Sequence, residues 1–147
     1  MPSPSINIMG KIITTLTVIN RADQVLAKQE VISTEQIRSV TLDNVLVDSG
    51  ATTLCLPAEI IEELGLELLK EVSVEMASGI GTARIFQDAK ISLLDREGTF
   101  ECLELPGSST PLLGVIPLEA LGIELDLKNQ CLVPLPISPT QTYLTIL

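Results

Sequence analysis

Residues 45–57, VLVDSGATTLCLP, place an acidic residue between two apolar, strand-like runs. A carboxylate among apolar residues costs free energy unless it is hydrogen-bonded or protonated, so packing alone rarely explains one. Gly50 allows a close backbone approach, and the Ser49 hydroxyl can hydrogen-bond within a turn. Asp-Ser-Gly is also an ordinary turn sequence. The apolar residues on both sides favour a functional loop at Asp48, because a solvent-exposed turn would normally have polar edges.

The composition limits the chemistry that this loop can perform. The 147 residues include no histidine and no tryptophan, and 19 acidic against 9 basic side chains give a formal net charge of −10. Without imidazole there is no Ser–His or Cys–His pair and no His-containing zinc site, so a general base must be a carboxylate, lysine, tyrosine, thiolate or water. The acidic balance and the scarcity of aromatic residues argue against a nucleic-acid partner.

Cysteine usage and hydropathy predict a reduced, cytoplasmic, soluble single domain without metal or cofactor. The cysteines, Cys55, Cys102 and Cys131, are odd in number and widely separated, and each lies in an apolar run. This pattern predicts buried free thiols rather than a disulfide framework or a metal site. The N-terminus lacks the basic start of a signal peptide, and no run approaches the ~20 apolar residues of a membrane span. We therefore expect no membrane partner.

Alternation of apolar and β-branched residues with period two dominates the chain and predicts an all-β barrel or sandwich. The predicted strands are residues 11–19, 36–48, 71–77, 83–94 and 99–105. Turn sequences at 95–98 and around Lys128-Asn129 predict two hairpins. Only two segments look helical, PAEIIEELGL with Gly65 as its stop and PLEALG at 117–122.

The Asp48 segment resembles the active-site loop, D-[ST]-G-A, of retropepsin-like aspartic proteases. Residues 76–82, MASGIGT, fall where those proteases carry a glycine-rich flap hairpin, and LLGV at 112–115 matches the element before their C-terminal helix. The run LLGVIPLEALGIELDLKNQCLVP is similar to bacterial, often cyanobacterial, single-domain clan AA aspartic proteases. The similarity covers about residues 9–136, with residues 1–8 as an N-terminal arm and 137–147 as a C-terminal tail.

The resemblance implies a retropepsin-like acid-protease barrel with one or two short helices, one lobe per chain. It also implies an aspartic endopeptidase, in which two carboxylates share one proton, activate water and protonate the scissile carbonyl. The chain has a single D-[ST]-G. The implied enzyme is therefore a homodimer in which Asp48 of each protomer meets at the two-fold axis. Its implied partners are a second copy of the chain and an extended peptide or protein substrate.

The resemblance also assigns the residues around catalytic Asp48. The active-site loop residues are Ser49, Gly50 and Ala51. The flap residues, which would close over a bound peptide, are Ser78, Gly79, Ile80 and Gly81. The residues that would support the loop are Leu113 and Gly114. The apolar residues expected to line the cleft are Leu46, Ile80, Ile85 and Leu113. Simpler explanations remain, since SGIG is also an ordinary hairpin turn and Gly114 a close-packing glycine.

The chain departs from the retroviral pattern at two places. Val115 and Ile116 stand where many retroviral enzymes carry a polar pair, and the flap has no tyrosine. The tail TYLTIL is apolar enough for an interface strand, although the prolines of PLPISP allow a loose extension instead. Two alternative functions are a non-catalytic peptide-binding or assembly domain on the same fold and an acidic interaction module. Retention of the Asp-Ser-Gly triplet favours the protease.

Overall fold

The computed structural model describes residues 11–106 and 109–136, together with Leu144 and Ile146. The predicted arm, residues 1–8, and most of the predicted tail, residues 137–147, lie outside the described residues. The strands are β1 Ile12–Asn20, β2 Ser39–Val47, β3 Leu54–Pro57, β4 Glu67–Met76, β5 Gly79–Leu93, β6 Arg96–Leu105, β7 Leu112–Leu113, β8 Ile123–Asp126 and β9 Cys131–Pro134. The helices are α1 Arg21–Lys28, α2 Ala58–Leu64 and α3 Val115–Leu121, with a 3-10 turn at Thr34–Gln36.

Six strands close into a ring. The main sheet has the order β1-β2-β7-β3-β6-β5-β4, and β5 also pairs with β1. This closing contact is antiparallel and joins residues 17–20 to residues 89–92. Strand β4 remains outside the ring, attached to β5, while β8 and β9 form a separate two-stranded sheet. The fold class predicted from the sequence is therefore confirmed.

The core lies inside this ring because successive strand residues face opposite sides of a sheet. In β1, Leu16 and Val18 are fully buried while Thr17 between them is partly exposed. Helices α2 and α3 cover the core with apolar side chains, among them Leu64 and Leu118. The apolar side chains that period-two alternation assigns to one face therefore form a continuous core.

The short strand β7 anchors the segment that carries Asp48. Strand β2 enters that segment and runs parallel to β7, with Val47 opposite Leu113. Strand β3 leaves it and runs antiparallel to β7, with Leu54 opposite the same residue. The loop between β2 and β3 is thus held at its base on both sides.

Both predicted hairpins and both predicted helices are confirmed, and α2 ends at Gly65 in the left-handed conformation, with φ of 63°. Helix α1 is a third helix that the sequence reasoning missed. The Asn20 side chain caps it by accepting a hydrogen bond from the Asp23 N–H at 3.0 Å. Its apolar residues Ala22, Val25 and Leu26 share one face, but eight residues are too short a window for periodicity to reveal a helix. No helix of the described residues is both long and apolar enough to cross a membrane.

Candidate active site

Asp48 directly follows β2, and its backbone is fixed by its neighbours. Its N–H donates to the Leu113 carbonyl at 3.0 Å, and its carbonyl accepts from the Ala51 N–H at 3.0 Å. One carboxylate oxygen, Oδ1, accepts a hydrogen bond from the Gly50 N–H at 2.8 Å. Asp48 is half-buried, whereas Ser49 and Gly50 are exposed. The backbone that carries the carboxylate is therefore held in place, and the loop beside it is exposed.

Gly114 lies against the backbone of the same loop. A Cβ atom at this position would be 2.5 Å from the Ala51 carbonyl oxygen and 2.6 Å from the Thr53 carbonyl oxygen. The Gly114 N–H donates to the Thr53 carbonyl at 3.0 Å, and the Val115 N–H donates to the Ala51 carbonyl at 3.0 Å. Only glycine permits this approach without displacing backbone. The structure thus brings the predicted supporting residues, Leu113 and Gly114, into direct contact with the loop.

The thiol of Cys55 lies within the electrostatic reach of Asp48. Burial, and secondarily the charge of Asp48, raise the pKa of the Cys55 thiol to about 11. Burial also raises the pKa of the Cys102 thiol. Because a thiolate is the reactive form of cysteine, neither residue is suited to act as a nucleophile at neutral pH. All three cysteines are free. The prediction of burial was wrong for Cys131, which is exposed because it begins the short outlying strand β9.

The predicted flap is the turn between β4 and β5. Met76 is paired with Gly79, which has φ of 124°, so the glycine permits a turn that other residues adopt with strain. Ile80 is 78% exposed at the tip. A Cβ on Gly81 would be 2.5 Å from the Met76 methyl carbon, so that methionine covers the glycine. The hairpin is present, and its closure over a peptide stays a prediction.

A groove of about 580 Å³ lies beside the strands of this hairpin. Its apolar lining consists of Ala58, Val74, Met76, Ala83, Leu103, Leu105, Pro106 and Leu112. Leu112 is the register partner of Leu46 and the chain neighbour of Leu113, which holds the Asp48 backbone. The groove is therefore lined by the residue next to Leu113, whose carbonyl accepts the Asp48 N–H.

Two residues expected to line the cleft are instead buried. Leu113 is fully inaccessible and belongs to the core, and Ile85 is 6% exposed. Leu112 takes the expected place of Leu113 because adjacent residues of a strand point to opposite faces. The sequence signal for Leu112 was present in the run PLLG, but periodicity alone did not decide which leucine faces outward.

The chemistry open to one chain is limited by its single carboxylate at this loop. No second carboxyl group of the described residues hydrogen-bonds to Asp48. Within the same ranges, no three His, Cys, Asp or Glu side chains converge as metal ligands. Hydrolysis by carboxylates needs one group to take a proton and another to give one. The described residues of one chain place a single carboxylate at this loop.

Comparison with known proteins finds similarity to solved structures. No protein-family model matches the chain. No curated protein matches it either. Among the solved structures that do match is the solution structure of the Simian Foamy Virus (mac) protease, at 21% sequence identity and a TM-score of 0.41, covering 53% of this chain and 82% of that chain.

Proposed function

We propose that the chain is a retropepsin-like aspartic endopeptidase that acts as a homodimer. The observation that carries this proposal is the hydrogen bonding of the Asp48 loop. The Asp48 carboxylate accepts a hydrogen bond from the Gly50 N–H, and the Asp48 N–H donates one to the Leu113 carbonyl. Such bonding fixes the position of a reacting group before substrate binds, which is the usual basis of catalytic efficiency. The finer resemblance to bacterial single-domain enzymes belongs to the proposal, and a cytoplasmic location stays a prediction.

The proposed chemistry uses the two Asp48 carboxyl groups as one unit. In the proposed dimer the two carboxyl groups are neighbours at the two-fold axis. Neighbouring carboxylates do not both ionise easily, so the pair holds one proton and titrates jointly. The ionised group takes a proton from a water molecule, and the water oxygen bonds to the peptide carbonyl carbon. The protonated group gives its proton to the carbonyl oxygen. Collapse of the tetrahedral intermediate then breaks the C–N bond, and a proton passes to the leaving amine.

The exposure of the loop supports dimerisation. Ser49 and Gly50 are exposed in the single chain, although they adjoin the only D-[ST]-G aspartate of the sequence. An isologous two-fold contact through this loop would bring the two Asp48 side chains together. In this dimer we expect the flap hairpin and the neighbouring groove to hold an extended peptide across the pair.

The first experiment measures cleavage of an unfolded, apolar-rich peptide at mildly acidic pH. We expect Asp48→Asn to abolish cleavage while the dimer, measured by analytical ultracentrifugation, persists. Asp43→Asn provides a matched control, because Asp43 is exposed on the same strand β2. Cleavage by the Asp48→Asn protein would refute the mechanism. Normal peptide binding by a wild type without any turnover would instead identify the non-catalytic peptide-binding domain.

A mixing experiment tests whether the site is shared between chains. Wild type and the Asp48→Asn protein are mixed in equal amounts under conditions that allow subunit exchange. If each site needs Asp48 from both chains, activity falls to about half that of the same wild-type amount alone, because half of the wild-type chains enter mixed dimers. Activity that does not change on mixing would refute the shared site. Inhibition by a statine-type analogue provides a separate check, since it requires paired carboxylates.

A further inference from the structure

A cross-strand ion pair borders the groove beside the flap. Arg84 on β5 and Glu104 on β6 make two hydrogen bonds, from Nε to Oε1 at 2.9 Å and from Nη2 to Oε2 at 2.8 Å. The Glu104 side chain is only 18% exposed. The Arg84 guanidinium carbon also lies 5.3 Å from the centre of the Phe86 ring. A bidentate carboxylate and an aromatic ring together hold the guanidinium in one place.

The same ion pair borders a second hollow. This depression has a volume of about 360 Å³, and its other lining residues are Ile61, Glu62, Gly65, Leu66 and Phe86. Three residues line both hollows, namely Ala58, Arg84 and Glu104. The groove and the depression are therefore neighbours, and the ion pair stands between them with Ala58.

We propose that the Arg84–Glu104 pair is a wall that limits the size of the substrate side chain accepted by the groove. This inference rests on the proposed function, because the occupant is an apolar side chain of the peptide held across the Asp48 loop. Leu112 lines the groove and precedes Leu113, whose carbonyl accepts the Asp48 N–H, so the groove lies near the base of that loop.

The chemistry of the groove selects an apolar occupant. Eight of its twelve lining residues are apolar, and the two charges of the wall pair with each other rather than with a ligand. The remaining charged residue of the lining, Glu75, is exposed. An apolar pocket discriminates by size, since one methylene group that fails to fit changes the rate by roughly 10–200-fold. The wall is thus a specificity-determining element, whereas Asp48 is the proposed catalytic residue.

The test removes both members of the wall together. In Arg84→Ala/Glu104→Ala neither member of the ion pair is left without its partner, and we expect the groove to open into the second depression. Lys90→Ala/Glu97→Ala is a matched control, because this pair joins the same two strands at 3.2 Å but lines neither hollow. Thermal unfolding of both variants establishes that each is folded before specificity is compared.

The readout is the size preference at one position of a peptide. A synthetic random peptide library is digested, and mass spectrometry of the products identifies the position most selective for an apolar residue. That position is then varied through leucine, phenylalanine and 4-phenylphenylalanine. We expect the ratio of cleavage rates for 4-phenylphenylalanine over leucine to rise roughly tenfold or more in the wall variant. The control should keep the wild-type ratio, and a folded wall variant that also keeps it would overturn the inference.

A binding measurement separates this inference from the proposed protease activity. The library retained on immobilised Asp48→Asn protein gives the selective position without turnover, and fluorescence anisotropy gives the affinities of the three peptides. One outcome is that wild type cleaves no peptide while the wall variant in the Asp48→Asn background still shows a changed binding preference. That result would refute the protease proposal and support the wall inference. An unchanged binding preference, or no binding of any peptide, overturns the wall.

Discussion

Replacement of Gly114 by alanine tests whether the Asp48 loop depends on close backbone packing. The added Cβ would lie 2.5 Å from the Ala51 carbonyl oxygen, and ordinary contact begins at 3.4 Å, so this oxygen must retreat by about 0.9 Å. The new atom would also lie 2.6 Å from the Thr53 oxygen. The obstacles are backbone atoms, which cannot rotate away as a side chain can.

The expected cost follows from these contacts. Overpacking typically costs ~1–3 kcal/mol. The displaced carbonyls also accept the Gly114 and Val115 N–H groups at 3.0 Å, and bonds lengthened beyond about 3.2 Å lose roughly 1 kcal/mol each. We therefore expect Gly114→Ala to lower the free energy of unfolding by roughly 3 kcal/mol and Tm by roughly 10 °C for a domain of this size. Cleavage should fall about a hundredfold, since a misplacement near 1 Å can cost that much.

The assay is chemical and thermal unfolding at one fixed protein concentration, because dimer dissociation makes apparent stability depend on concentration. Gly81→Ala is the control for stability, since its Cβ would meet only the mobile end of the Met76 side chain at 2.5 Å. That variant should lose less than about 1 kcal/mol. A Gly114→Ala protein within about 0.5 kcal/mol of wild type, with normal cleavage, would refute the reasoning.

Three further predictions concern the rest of the structure. Arg38 holds the pKa of Asp23 below its ordinary value by bonds of 2.8 and 2.9 Å, so Asp23→Asn should cost ~1–3 kcal/mol at pH 7. That stabilisation is present above the ordinary carboxyl pKa near 4 and is lost as pH falls through the lowered pKa of the folded state. The difference in free energy of unfolding between wild type and Asp23→Asn, measured with urea, should therefore be smaller at pH 3 than at pH 7, and an equal difference contradicts the prediction. Iodoacetamide at pH 8 should label exposed Cys131 and spare Cys55, whose thiol pKa is raised to about 11; mass spectrometry of the native protein decides, and equal labelling contradicts it. Arg96 is 1% exposed and donates to two carbonyls at the end of α3, so Arg96→Met should cost roughly 3 kcal/mol in chemical unfolding; a loss below about 1 kcal/mol contradicts it.

Much of the strand content could be predicted because alternation is a local property of the sequence. The long strands and the two hairpins involve residues close in the chain, and their turns carry recognisable sequences. Strand β7 was not predicted, and β3 was recognised only as an apolar, strand-like run after Asp48, because two and four residues are too few to show a period. Helix α1 was missed for a related reason, since its eight residues are too few to show a helical period, and Asn20 as cap and Asp23 in the first turn are weak signals by themselves.

The candidate site was predictable in its residues but not in its geometry. The apolar frame around Asp48 indicated a functional loop, and the glycine at 114 suggested a support for it. The hydrogen bond from Asp48 to Leu113 joins residues far apart in the chain, so no sequence period reports it. Leu112, rather than the predicted Leu113, lines the groove. This difference shows the same limit, because a shift of one residue in register moves a side chain to the opposite face of the sheet.

The sequence by itself determined an acidic, histidine-free chain of alternating strands with one Asp-Ser-Gly loop in an apolar frame. These features depend on residue chemistry and on neighbours within a few positions. Only the tertiary structure decided that β1 closes on β5, that Gly114 packs against the loop backbone, and that Arg84 and Glu104 separate two hollows. The physical reason is that alternation fixes which face a side chain takes, whereas the partner it meets there depends on pairing between distant strands.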